Sequence, residues 1–209
     1  PLGLGQMYDR LLVAGTPSEL RACGALVRAE HYGPDEPDLR ALKGLREGED
    51  LSESQQRKVL PMKPLWGRVW EWFEKLNPEH RPTILFASGV NESLWFAEQF
   101  SRKGVPAAHI DGQDVWVDGK LHRSSRELRQ EVLDASRSGR IRVLCNRFVL
   151  REGIDAPWLS HGILATVFGS LQSYLQSGGR LLRAFPGTDH ITIQDHGGNW
   201  WRHGSLNAD

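Results

Sequence analysis

Apolar and polar positions alternate along the chain in two rhythms after residue 64. Leu65, Val69, Phe73 and Leu76 recur every three or four residues, which predicts a helix over 65–76. The run TILFA at 83–87 predicts a buried strand. The same two patterns predict further helices over 92–102, 124–137 and 171–182, and further strands over 107–110, 141–145, 162–167 and 190–194. This alternation is typical of an α/β fold, in which helices cover both faces of a parallel sheet and ligands bind at the carboxyl ends of its strands.

One segment between a predicted strand and a predicted helix breaks the alternation. Asp118-Gly119 stands between the short strand-like runs 115–117 and 120–122, which is typical of a type I′ hairpin. We expect a two-stranded ribbon inserted here and projecting from the sheet. Trp116 on this ribbon fits no buried periodic pattern, and neither does the pair Trp200-Trp201. These indoles are therefore candidates for stacking on nucleic-acid bases, with ordinary packing as the alternative.

The segment before residue 64 differs in composition from the rest of the chain. Seven acidic and five basic residues fall within the 24 positions 35–58, which predicts a solvated arm. Ser52 and Gln55 have the spacing of a capping box, so a short helix is expected to run toward Leu60 and stop before Pro61. We therefore divide the chain into a connector with a charged arm, 1–63, and a domain, 64–209.

Composition narrows the possible classes of protein. The 26 basic and 26 acidic residues cancel, so any polyanion site must be a local patch. Two widely separated cysteines fit a reducing cytoplasm, and no apolar run is long enough to span a membrane. The histidines and cysteines lack metal-ligand spacing, and the acidic run 35–38 follows no apolar strand, so no metal site is predicted. The chain begins without methionine, which suggests a piece of a longer protein.

Two strings carry candidate chemistry. In the first, QSGGRLLR at 176–183, Arg180 and Arg183 are three residues apart at the end of a predicted helix. Their guanidinium groups would share one helical face with Gln176, a geometry suited to gripping phosphate oxygens. A basic helix end that complements the helix dipole is the alternative. In the second, CNRFVLREGIDAP at 145–157, Gly153 permits a close backbone approach and Asp155 can accept a hydrogen bond from a ribose hydroxyl, although such a string is also typical of an ordinary turn.

Taken in order with ILFASGV at 84–90, these strings resemble motifs four, five and six of the superfamily 2 helicases, the DEAD/DEAH-like motors. The resemblance covers the second RecA-like domain, from about residue 64 to 195. The segments GLGQMYDRLLVAG near the start and QDHGGNWWRHG near the end look like the RadD-type branch and its phage and restriction-associated relatives.

The resemblance implies a division of labour between two RecA-like lobes of one polypeptide. The N-terminal lobe, absent here, would bind most of ATP and its Mg²⁺, and this lobe would supply Arg180 and Arg183 as arginine fingers beside Gln176. Gly153 and Asp155 would contact the nucleotide sugar. The DNA backbone would follow the residues at two strand ends: Ser88, Gly89, Asn146 and Arg147.

These expectations make the chain the second motor domain of an ATP-dependent DNA helicase or translocase, acting in DNA repair or in a phage or restriction system. The sequence contains no P-loop and no DExH string after a strand, so the isolated chain should not hydrolyse ATP. The alternative is a non-catalytic module that binds nucleic acid or protein and keeps only the fold.

Overall fold

A computed structural model describes residues 15–40, 48–147 and 156–209 of the chain. Within these ranges eight strands form a single sheet in the order β1-β8-β7-β2-β6-β3-β4-β5. The strands are β1 (Arg28–Tyr32), β2 (Thr83–Ala87), β3 (Ala107–Ile110), β4 (Asp114–Val117), β5 (Lys120–Arg123), β6 (Val143–Asn146), β7 (His161–Ala165) and β8 (His190–Asp195). The pairings from β1 to β3 across the sheet are parallel, so their carboxyl ends share one edge.

Seven helices accompany the sheet in the same described ranges. They are α1 (Pro17–Ala22), α2 (Glu53–Val59), α3 (Met62–Leu76), α4 (Val90–Arg102), α5 (Arg126–Arg137), α6 (Leu171–Gly178) and α7 (Asn199–His203). One apolar core lies between the sheet and α3 and α4, and a second lies between the sheet and α5 and α6. The predicted α/β architecture, with helices on both faces, is confirmed.

The central strand β2 shows why its sequence is almost wholly apolar. Ile84 and Phe86 pack into the core on the α5 and α6 side, whereas Leu85 and Ala87 pack into the core on the α3 and α4 side. Successive side chains of a strand point to opposite faces, so a strand covered on both sides needs apolar residues at consecutive positions.

The hairpin forms where it was predicted, but it does not project. Asp118 and Gly119 have φ angles of 51° and 77°, as a type I′ turn requires. However, β4 pairs with β3 in antiparallel register, with His109 opposite Trp116, so the hairpin extends the sheet. Trp116 then faces the α3 and α4 core and is only 8% exposed. The expectation of an exposed indole on a free ribbon is wrong, and Trp116 packs.

Part of the range expected to be a connector is built into the sheet. The edge strand β1, which the pattern analysis missed, pairs with β8, and its Ala29 is buried. The capping box at Ser52 forms as predicted and begins α2. Leu51 and Leu60 at the two ends of α2 are buried against the α3 and α4 core. Residues 51–60 are therefore anchored to the domain instead of lying in solvent.

Candidate nucleotide and nucleic-acid interface

The carboxyl edge of the sheet brings together the four residues expected to contact a DNA backbone. Ser88 and Gly89 follow β2, and Asn146 and Arg147 lie at the end of β6. Since β2 and β6 are neighbours in the sheet, the two pairs are adjacent across one strand spacing. The structure thus places these residues at a common edge, while their contact with nucleic acid stays a prediction.

Gly89 starts α4 with an extended backbone and without a side-chain cap. A Cβ atom at this position would collide with the Glu92 carboxylate, which folds back over the helix start. Glu92 is 1% exposed, and its Oε1 accepts a hydrogen bond of 2.5 Å from Nε of Arg57. This bond raises the pKa of Arg57. A larger residue at this position would therefore have to displace the buried Glu92 carboxylate.

Arg147 joins the same group of charges from β6. Its guanidinium forms an ion pair with Glu53, whose other oxygen pairs with Arg57 at 3.2 Å. Partial burial lowers the pKa of Arg147. We call Glu53, Arg57, Glu92 and Arg147 the edge ion cluster. Three of its members, all but Arg147, were missed by the sequence analysis. The capping box at Ser52 was the one signal that a helix would bring Glu53 and Arg57 here.

Asn146 has a structural role at the end of β6. Its side chain is fully buried, and Nδ2 donates to the carbonyl of Leu85 at 3.1 Å. Oδ1 has no hydrogen-bond partner among the described residues. Because an unpaired buried acceptor is costly, this oxygen is a point where a ligand or water donor would be stabilising.

The helix that carries the arginine motif ends earlier than predicted. α6 stops at Gly178, and the chain continues as two tight turns in which Leu181 N–H and Leu182 N–H donate to the carbonyls of Gly178 and Gly179. Arg180 and Arg183 lie in and after these turns, so the expectation that they share a helical face with Gln176 is wrong. The physical reason is the glycine pair, since glycine is unfavourable in helices and permits the chain to change course.

Arg180 and Arg183 also differ in their surroundings. Arg180 is half-buried and lines a small cavity of about 20 Å³ between α6 and the sheet, together with Phe86 and Ala156. The Ser177 hydroxyl in the same cavity is buried and has no hydrogen-bond partner among the described residues.

Arg183 is exposed, and its backbone forms an isolated β-bridge with Leu26. Gln176 is exposed on α6. Gly153 and Asp155 lie outside the described residues, which resume at Ala156 beside this cavity.

The end of β7 is held by side chains from the segment 48–60. Gln56 is 3% exposed and makes two hydrogen bonds to Val167, with Nε2 donating to the carbonyl at 2.7 Å and Oε1 accepting from N–H at 3.0 Å. Asp50 accepts from the N–H of Gly169 at 2.9 Å and from the Ser173 hydroxyl at 2.6 Å. The segment therefore crosses the carboxyl edge and fixes its loops.

The end of β8 is organised by a buried carboxylate. Asp195 accepts hydrogen bonds from the N–H of Gly197 at 3.0 Å, from Nδ2 of Asn199 at 2.7 Å and from the N–H of Trp200 at 2.8 Å. Burial raises the pKa of Asp195 despite these donors. Asn199 also donates to the carbonyl of Thr166 at 2.9 Å. The turn that leads into α7 is thus locked to both β7 and β8.

A chain of polar groups ties residue 35 to the same end of the sheet. Gln194 Nε2 donates to His196 Nε2 at 2.7 Å, which leaves the His196 proton on Nδ1 facing the Asp35 carboxylate. Arg68 forms a 2.7 Å ion pair with Asp35. Burial acts to raise the pKa of Asp35, but the hydrogen bonds from His196 and Arg68 outweigh it and the pKa is lowered. On the other side, Gln194 accepts from His161 at 3.1 Å.

Neither a cluster of metal ligands nor a membrane-spanning helix is found among the described residues. In ranges 15–40, 48–147 and 156–209, no group of three or more histidine, cysteine, aspartate and glutamate side chains is placed to hold a metal ion. In the same ranges no helix has the length and apolar character needed to cross a bilayer.

The fold and motifs have counterparts among known proteins. The chain is 27% identical over 202 residues to a 51.5 kDa protein of Lactococcus phage (isolate 7-9), covering 97% of this chain and 41% of the phage protein. It resembles the fragment structure of a protein described as an HsdR subunit of a type I restriction enzyme from Vibrio vulnificus YJ016, with a TM-score of 0.61, 16% identity, and coverage of 86% of this chain and 34% of that one.

A second similar structure is the DNA-bound type ISP restriction-modification enzyme LlaBIII, with a TM-score of 0.52 and 17% identity over 85% of this chain and 12% of that one. The chain thus spans about two fifths of its phage relative and smaller shares of these two structures. At such low identity the structural likeness shows the RecA-like fold alone.

The model of the helicase conserved C-terminal domain matches residues 69–185. This match covers more than half of the chain, from within α3 to just beyond Arg183. It includes the residues at the carboxyl ends of β2 and β6. The chain belongs to the helicase conserved C-terminal domain family.

Proposed function

We propose that this chain is the second motor domain of an ATP-dependent DNA helicase or translocase. The observation that carries the proposal is the family match over 69–185, which contains both candidate arginines and the carboxyl-edge residues of β2 and β6. The partner would be an N-terminal RecA-like domain of the same polypeptide, which would complete the ATP site. The likeness to a restriction enzyme bound to DNA supports DNA as the track and a phage or restriction system as the setting.

Within this proposal Arg180 acts on the phosphate chain of ATP. A guanidinium that is half-buried beside apolar Phe86 and Ala156 has fewer accessible positions than one on an open helix face, so its donors are held in place before the substrate arrives. Charge that develops on the transferred phosphoryl group would be stabilised by these donors. Arg183, which is exposed, would reach the substrate only across the cleft to the partner lobe. Mg²⁺ would be held mainly by the N-terminal domain of the same polypeptide.

Nucleic acid would follow the carboxyl edge past Ser88, Gly89 and Arg147. The edge ion cluster places two arginines here, but their charge is matched by two carboxylates at this edge. A phosphate that replaced the carboxylate of Glu53 on Arg147 would gain a bidentate partner. We therefore expect DNA affinity to be weak in the isolated chain and to fall steeply as the salt concentration rises.

The test is Arg180→Ala in the full-length protein. ATP turnover should fall by about 10³-fold or more while ATP affinity changes little, because an arginine finger acts mainly on the transition state. Arg180→Lys should restore little, since a point charge cannot reproduce the forked donors. Arg126→Ala, an exposed arginine at the start of α5, serves as the matched control. Turnover near that of the wild type in a folded Arg180→Ala protein would contradict the catalytic role, and a full-length protein without turnover would favour a non-catalytic module.

A further inference from the structure

Two tryptophans are displayed at the end of β8. Trp201 is 63% exposed and Trp200 is 38% exposed, and their rings stand edge to face with centroids 4.8 Å apart. Indole rings left in water forgo the largest hydrophobic gain available to any side chain. A pair of exposed indoles in contact with each other is therefore typical of a binding surface.

The backbone that presents these rings is unusually well anchored for a surface turn. Asp195 and Asn199 bind it from the sheet, as described above. At the far end of α7, His203 Nε2 lies 2.7 Å from the carbonyl of Phe168, and its ring stacks on Tyr174 with centroids 5.4 Å apart. The backbone that carries the tryptophans is therefore ordered before a ligand binds, which lowers the entropic cost of binding.

Beside Trp201 is a shallow pocket of about 250 Å³. It is lined by Glu36, Pro37, Gly197, Gly198, Trp201 and Arg202. The volume is below the roughly 300–1,000 Å³ of a site for a whole small molecule, but it accommodates one flat ring system. Gly198 has a φ of 64°, a conformation that favours glycine, and it leaves this wall of the pocket without a side chain.

The charges around the pocket fit a nucleotide. Arg202 lines this pocket and is exposed, and among the residues that the structure describes none forms a hydrogen bond or ion pair with its guanidinium. A surface cation without a counter-charge favours an anionic ligand. Glu36, which also lines the pocket, would repel a phosphate but can accept a hydrogen bond from an N–H group of a base, such as N3–H of thymine. A base toward Glu36 and a phosphate toward Arg202 satisfy both.

The position of the pocket favours a nucleic-acid strand as the source of the nucleotide. β8 is separated from β2 only by β7, so the ends of β8 and β2 are two strand spacings, roughly 10 Å, apart along the carboxyl edge. We propose that Trp201 stacks on an unpaired base of the DNA strand that follows this edge, with Arg202 contacting the adjacent phosphate. This inference rests on the proposed function, since it extends the same DNA track.

The test compares two oligonucleotides of equal length, oligo-dT and an abasic strand, by fluorescence anisotropy on the full-length protein. Trp201→Ala should weaken binding of oligo-dT by about five- to hundredfold, the range typical of one stacked base, and leave the abasic strand nearly unaffected. Trp201→Phe should recover part of the loss. Arg202→Ala should weaken both strands and reduce the dependence on salt.

Trp72→Ala is the matched control. Trp72 lies on the part of α3 that runs toward Asn77, which bonds to Thr83 at the amino end of β2, away from the proposed track. Equal losses on the two strands after Trp201→Ala, or no loss on either, would overturn stacking; no loss together with impaired ATP turnover would assign the tryptophans to docking of the partner lobe. If the wild-type protein binds neither strand, the proposed function fails as well.

Discussion

Gln56 offers a direct measure of how firmly the segment 48–60 belongs to the motor domain. Its amide is buried and satisfies both backbone groups of Val167 at the end of β7. Gln56→Leu keeps a similar volume but removes both bonds and leaves a buried N–H and a buried carbonyl unpaired. Each such group costs about 1–3 kcal/mol.

The expected net loss of stability follows from these terms. Two unpaired groups cost about 2–6 kcal/mol, and the more apolar leucine returns about 1–2 kcal/mol, so the midpoints of these ranges give a fall of about 2.5 kcal/mol in the free energy of unfolding. At about 2–4 °C per kcal/mol for a chain of this size, the melting temperature should fall by roughly 5–10 °C.

Urea unfolding followed by circular dichroism measures this change. Gln130→Leu is the control, because Gln130 is an exposed helical glutamine whose amide donates a hydrogen bond to Asp134 in its own helix. The control should change stability by less than about 0.5 kcal/mol. An equally small effect of Gln56→Leu would mean that segment 48–60 is detached in solution, and that β7 ends without its support.

Two further predictions concern buried side chains. Burial lowers the pKa of His161 to about 4, below its ordinary value of 6.5, so His161 stabilises the fold above about pH 6.5 and this contribution is lost as the pH falls toward about 4. The loss should reach about 3 kcal/mol, and in urea unfolding at pH 7 and pH 4 His161→Gln should show a smaller decrease than the wild type; equal decreases would show that His161 does not titrate in this way. Trp116→Ala should cost about 3–5 kcal/mol of stability, seen as a lower melting temperature, because the indole fills the α3 and α4 core. Binding of single-stranded DNA well below that temperature should be unchanged, and a DNA defect with unchanged melting would reverse the assignment of Trp116 to packing.

Local patterns were sufficient for the central sheet. The strand over 83–87 and the strand over 107–110 form with the predicted bounds, because buried parallel strands need consecutive apolar residues and few other segments do. The turn at Asp118-Gly119 was equally readable, since few residue pairs tolerate two positive φ angles in succession. These features depend on residues that are neighbours in sequence.

The candidate site could be predicted only in part from the sequence. The motif strings that contain Ser88, Asn146 and Arg180 indicate the helicase family that the match over 69–185 shows. Because β2 and β6 are parallel neighbours, Ser88 and Asn146 lie together at the carboxyl edge of the sheet. The helix that was expected to align Arg180 with Gln176 ends at Gly178, because the pair Gly178-Gly179 is unfavourable in a helix.

Sequence by itself determined the alternation of strands and helices, the hairpin turn and the helicase motifs, because each depends on periodicity or on residues close together in the chain. Tertiary structure alone decided that Trp116 is buried, since β4 had to pair with β3 before its faces were defined. It also decided that Glu53 and Arg57 meet Glu92 and Arg147, because the charges of an arm that looks solvated acquire partners only when the chain folds back across the sheet. Contacts between residues far apart in sequence leave no local pattern, and much of the carboxyl edge is made of such contacts.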